Sequence, residues 1–304
     1  MGITKQELIE EATDKTKEMY KNFGMMLEEI IQKGLDIIVS LNENEVTGWE
    51  EKQQQIMISI LKEILEKIDG IIILSEKYSQ QNISVLARSV LEGFLDLNFM
   101  LKNPKRALAY IYCKGLDYLS KQDKLVRIEI MEEKSELKKQ ELEEIFKIEK
   151  QNRKEELKSL QEELKKQRGK KKERNDDRLN WKSFYFDEET DDPYKNEGAK
   201  IQYSFLCAET HNQMSLIHNY SKDNKSYVRG FRDNDKIGIG LISQMIAGFS
   251  GEIFYRMVKL YTQESSSDLE NLEKWHEKMI EKSEELIKLD NERLSRTTKL
   301  NVEI

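Results

Sequence analysis

Apolar residues recur at three- and four-residue intervals along nearly the whole chain, with Glu and Lys between them. That period predicts helices, and no stretch shows the two-residue alternation of a strand. The first helix is predicted over residues 5–41, with Leu8, Ala12, Met19, Phe23, Ile30, Leu35 and Ile38 as its apolar stripe. Gly24 and Gly34 mark bends or close contacts in it. A second helix is predicted from Trp49 to Tyr78, where Ile56, Ile60, Ile64, Ile68 and Ile72 step by four. A third, Ile83 to Leu101, is apolar on nearly every side, which places it inside a bundle. Asn82 is a suitable cap for it, and Pro104 suits the first turn of a fourth helix.

The fourth helix opens with ALAYIYCKGLDYL and continues through Lys121 to Arg168 with no Pro or Gly after Gly115. As one rod, its charged part would form an arm of about 70 Å. Leu142, Phe146, Leu157, Leu160 and Leu164 are its sparse apolar positions, a weak coiled-coil seam. No return helix of equal length follows, so the arm is expected to stand alone, pair with another protomer or lie along the last helix. Further helices are predicted over Gly198–Tyr220, Lys236–Tyr261 and Asp268 to about Arg296. In the second of these, Gly240, Ala247, Gly248 and Gly251 would admit a neighbouring backbone. In the last, Leu272, Met279 and Leu286 fall at heptad spacing. The fold class that follows is all-α, a helical bundle with a long protruding, charged, coiled-coil-like arm. Its expected parts are residues 1–120, the arm 121–178, bundle helices 179–262 and a terminal amphipathic helix 263–304.

Composition supports this picture. Of 304 residues only 2 are Pro and 14 Gly, while 35% are charged, a mix that favours long helices. A net charge of −7 gives no global attraction to nucleic acid or anionic lipid, so any such binding needs a local patch. Cys113 and Cys207 sit in apolar-periodic segments and read as core thiols in a reducing compartment. The first residues carry no apolar signal core, and the longest uncharged run, Ile237 to Gly251, is too short for a membrane span. The expectation is a cytoplasmic protein without a membrane partner.

Candidate chemistry begins on the third helix. Arg88, Glu92 and Asp96 step by four on a segment where unpaired charge is costly. Arg88 and Glu92 lie one turn apart and can meet. They serve either as a structural ion pair or as an anion-binding Arg with a carboxylate that orients it or acts as a base. Asp96 lies about 80° round the helix from Arg88 and faces elsewhere. In the helix around YSFLCAETHNQMSLIHNY, His211 and His218 share a face two turns apart. His211 is the candidate acid or base. Cys207 with His211 is the only pair spaced for zinc, and with no second pair neither a metal nor another cofactor is assigned. His276 stands without polar company. Lys165, Lys166, Arg168, Lys170, Lys171, Lys172 and Arg174 make a basic tip, either a solvated helix end or a phosphate-contacting patch. Glycine-rich phosphate loops, GxSxG and HExxH motifs do not occur.

The order of these motifs resembles a bacterial family of helical proteins of unknown function. The resemblance runs over about residues 50–262, carried by SVLARSVLEGFLDLNFML, Asn180-Trp181 and the Tyr203-x7-His211 spacing. More distantly the chain is similar to HEPN-type helical bundles, which implies RNase activity in defence systems. Their Arg-x4–6-His motif does not occur before His211 or His218. Two functions follow as expectations. One is a defence- or stress-associated protein acting on nucleic acid through Arg88, Glu92 and His211. The other is a non-enzymatic adaptor that homo-oligomerises or binds a protein partner through the arm. A weaker third is a small-anion sensor using Arg88.

Overall fold

A computed structural model describes residues 5–43, 46–77, 80–133, 135–168, 238–262 and 266–302. Among them are seven helices and no strand: α1 (Lys5–Glu43), α2 (Gly48–Glu76), α3 (Gln80–Lys102), α4 (Lys105–Glu132), α5 (Glu136–Arg168), α6 (Ile239–Tyr261) and α7 (Ser266–Val302). The all-α reading of the sequence holds. No described helix is long and apolar enough to cross a membrane. The helix expected over Gly198–Tyr220 lies outside the described residues. The chain divides into two compact units, one of residues 1–45, 58–101 and 188–304, the other of residues 46–57 and 102–187.

In the first unit α1 buries Met19, Tyr20, Phe23, Met26, Leu27, Ile30, Ile37, Ile38 and Leu41. Leu35, placed in the stripe by its sequence, is 44% exposed. The core slot one turn after Ile30 belongs to Gly34. A Cβ there would stand 2.8 Å from the Leu65 methyls and 3.1 Å from Phe254. Removing the side chain at residue 34 lets α2 and α6 press onto α1, and Leu35 turns outward. In α2 the four-step isoleucines drift by about 40° per step. Ile60, Ile64 and Ile68 are buried, but Leu61, Leu65 and Ile71 complete the face.

Neighbour pairs give the directions. Gly24 lies by Ser75 and Gly34 by Leu65, so α1 and α2 are antiparallel. Gly70 lies by Leu86 and Gly93 by Ile64, so α2 and α3 are antiparallel too. Phe94 of α3 stacks on Phe249 of α6, centroids 5.8 Å apart. Along α6 and α7, Gly240 meets Ile287 and Gly251 meets His276, again antiparallel. Glu29 of α1 pairs with Lys278 and Lys282 of α7. Burial would raise the Glu29 carboxyl, but the hydrogen bonds and charge of the two lysines bring it below its ordinary value. The heptad residues Leu272, Met279 and Leu286 are buried as their spacing predicts.

The second unit corrects the continuous arm. Helix α4 stops at Glu132 and α5 starts at Glu136. The two pack as an antiparallel hairpin, shown by Gly115, whose Cβ would stand 2.6 Å from Leu157. The return helix is thus the second half of the arm itself. The break needs neither Pro nor Gly. Glu133 turns extended, φ −69° and ψ 131°. Its carboxylate accepts the Ser135 N–H at 2.9 Å, and Ser135 Oγ accepts the Lys138 N–H at 3.5 Å. Ser135 is the N-cap of α5, and Glu136 in the first turn favours the positive end of the helix dipole. Farther along, Leu108 is buried against Trp49, Ile56 and Leu160, so the first turns of α2 close this small core.

Candidate functional site

Helix α3 buries Ile83, Ala87, Val90, Leu91, Phe94, Leu97, Phe99 and Met100. Arg88 Nε donates to Glu92 Oε1 at 3.3 Å, with the side chains 15% and 39% exposed. The pair forms as its spacing predicts. Its setting differs from the expected buried centre: Val85 on the same side is exposed, and Ser89, Glu92 and Asp96 are half-buried. Apolar packing takes the other sides of α3, so water reaches this edge and the charges keep part of their hydration. His211, His218, Cys207 and the tip residues Lys170, Lys171, Lys172 and Arg174 lie outside the described residues. Lys165, Lys166 and Arg168 fall in the last turn of α5. The structure therefore joins Arg88 to Glu92, and the expected approach of His211 to that pair lies outside the described residues. Among the described residues no three His, Cys, Asp or Glu side chains are grouped to hold a metal.

The α6–α7 seam carries polar groups that the sequence pattern did not single out. Asp290 of α7, almost fully buried, accepts the Gly240 N–H at 3.2 Å. It caps α6 from another helix, a role usually filled by the residue preceding the helix. That position is Gly238, whose φ of −69° any residue adopts. Gly238 is needed for room, since its Cβ would stand 1.6 Å from Asp290 Oδ2.

His276 of α7 lies flat against Gly251, where a Cβ would stand 2.0 Å from its ring. Its Nε2 is buried with no hydrogen-bond partner. Contrary to the sequence expectation, it has polar company. Burial lowers its pKa, and the charges of Glu252 and Glu277 partly oppose that. Trp275 beside it rests on Phe254 with centroids 5.6 Å apart. Gly251 was legible as a close-approach residue; its occupant was not. Gly248 meets nothing within 4 Å.

The hairpin presents the third candidate surface. Apolar side chains gather around its closed end: Met131 is 83% exposed and Leu137 80%, with Ile128, Ile145 and Ile148 also exposed. Taking Gly115 as the direction from α4 toward α5, Lys124, Ile128 and Met131 lie about 140° to 180° round the helix. Taking Leu157 as the direction toward α4, Leu137, Glu141, Glu144, Ile148 and Glu155 lie about 140° to 180° round α5. Leu142, Phe146 and Leu160, read from sequence as the arm's seam, are half-buried on the opposite, α4-facing side. Among the described residues, Ile128 and Met131 of α4 and Leu137 and Ile148 of α5 therefore lie away from the seam that the hairpin builds for itself.

Residues 54–227 match a family described as of unknown function (DUF5677). The match covers more than half of the chain, which therefore belongs to that family. No curated protein and no solved structure matches it.

Proposed function

We propose that this member of a family of unknown function is a non-enzymatic scaffold or adaptor whose α4–α5 hairpin is the interaction element. The observation that carries the reading is the concentration of exposed apolar side chains at the closed end, led by Met131 and Leu137. A lone exposed apolar residue needs no explanation, but a clustered set on a soluble surface marks a contact site. The hairpin does not need these residues for its own packing. Its seam is built from Gly115 against Leu157 and from Leu108 against Leu160.

The test is site-directed photo-cross-linking of the full chain in cells, with a photo-reactive phenylalanine analogue in place of Leu137 or Ile148. Adducts from both positions, and none from the same analogue at exposed Glu63 of α2, are expected. Absence of adducts at the hairpin would overturn the adaptor reading.

A second reading keeps the nucleic-acid activity, with Arg88 holding a phosphate, Glu92 orienting it, His211 as acid or base and the basic tip as an auxiliary contact. What favours it is a guanidinium kept 15% exposed beside a half-buried carboxylate, on one edge of a helix whose other sides are apolar, since an ion pair in such a setting is a weak source of stability. Incubating the purified chain with RNA and DNA at low salt tests it. Cleavage lost in both Arg88→Ala and His211→Ala would support it, and binding and cleavage unchanged in both would end it.

A further inference from the structure

The two outer faces of the hairpin share one spacing with opposite charge. On α4 it reads Lys124-x-x-Arg127-Ile128-x-x-Met131, and on α5 it reads Glu141-x-x-Glu144-Ile145-x-x-Ile148. All eight residues are exposed. Laid parallel in that register, Lys124 meets Glu141, Arg127 lies level with Glu144, Ile128 meets Ile145 and Met131 meets Ile148. The charge separation extends beyond the eight. From Leu137 to Glu162, the positions directly opposite the α4-facing stripe of α5 are Leu137, Glu141, Glu144, Ile148, Asn152, Glu155, Ser159 and Glu162, with no Lys or Arg among them. On α4, exposed Lys121 flanks the same face as Lys124 and Arg127.

We infer that the occupant of this surface is a second copy of the chain, seated with the basic outer face of its α4 on the acidic outer face of α5. This rests on the adaptor reading above and names its partner. Like faces would repel, Glu141 and Glu144 against themselves or Lys124 and Arg127 against themselves, which disfavours α5–α5 and α4–α4 contacts. The contact joins unlike faces on opposite sides of the hairpin, so it is heterologous and leaves one face of each kind open at the ends of any pair. Apolar layers supply the attraction and the flanking charges select the partner face, as in paired helices generally.

Charge reversal tests this. The variant Lys124→Glu with Arg127→Glu has two acidic faces, and Glu141→Lys with Glu144→Lys has two basic ones. All these positions are exposed, and circular dichroism checks that the helices persist. Sedimentation of the full chain is expected to show concentration-dependent association that weakens at high salt. Each double variant alone is expected to associate at least tenfold more weakly. An equimolar mixture of the two should regain association as an alternating assembly, because the acidic faces of one variant meet the basic faces of the other at both kinds of contact. A monomeric wild type at every concentration, or variants that fail to pair when mixed, would overturn the inference. Adducts from Leu137 or Ile148 to a different polypeptide, with a monomeric wild type, would overturn self-association and leave the adaptor reading standing. Absence of adducts together with a monomeric wild type would remove both.

Discussion

Glycines in this chain divide by what stands opposite them, and two on one helix should respond in opposite directions to the same substitution. Gly251→Ala forces a methyl into the His276 ring near its attachment carbon, which clears it only if the whole ring changes rotamer. A loss of about 1–3 kcal/mol is expected from such overpacking. Gly248→Ala points into open space and should gain up to about 1 kcal/mol from helix propensity. Urea unfolding of both variants checks the pair, and equal effects would contradict the packing described. His276 itself sets a pH dependence. Its folded-state pKa lies below the ordinary 6.5 because burial disfavours the cation, with Glu252 and Glu277 opposing. The unfolded chain therefore binds the proton first, so this contribution to stability is complete above pH 6.5 and lost as pH falls through and below it. A His276→Gln variant should flatten the curve in that window. Glu29 acts in the same direction at lower pH: its depressed pKa gives a contribution that is lost as pH falls below the ordinary 4.5.

Helices were legible from periodicity wherever the apolar stripe was dense, and their ends were less so. Helix α7 shows why the interior reads well: Leu272, Met279 and Leu286 are buried because a seven-residue spacing keeps one face on the partner. Leu35 turns outward because the core slot beside it is filled by Gly34, legible as a close contact but not as the residue that takes the place of an apolar side chain in the stripe. The hairpin turn is hidden from a reading that looks for Pro or Gly at a break, because its stop is made by Glu133 and Ser135. The available signal was a Ser followed by Glu at the start of a renewed amphipathic run. The Arg88–Glu92 contact was legible from i,i+4 spacing, but its half-exposed edge was not, since exposure depends on which sides of α3 its neighbours cover. Asp290 was invisible for a related reason, because it caps a helix from 50 residues away. Ser135→Ala should cost about 1 kcal/mol, within the usual range for an N-cap. Hydrogen exchange should show the loss as faster opening of the first turn of α5, and unchanged protection there would mean that the cap contributes nothing.

Two cores share one chain, and that division decides how far damage in either should spread. Leu157, buried against Gly115, serves the second unit. The packing of Phe254 against Trp275 and of Ile287 against Gly240 serves the first. Units with separate cores open as separate cooperative blocks when few contacts join them. Leu157→Ala removes a buried side chain and should cost the hairpin about 2–5 kcal/mol. Amides of α4 and α5 should then exchange faster, while those of α1, α6 and α7 keep their protection. If all five helices lose protection together, the chain unfolds as one cooperative body and its division into two units has no energetic meaning. The same substitution also separates folding from assembly. Leu157 faces α4 within the hairpin, whereas Ile148 lies about 180° round α5 from it. Ile148→Ser should therefore weaken association with little change in exchange, and Leu157→Ala should change exchange first.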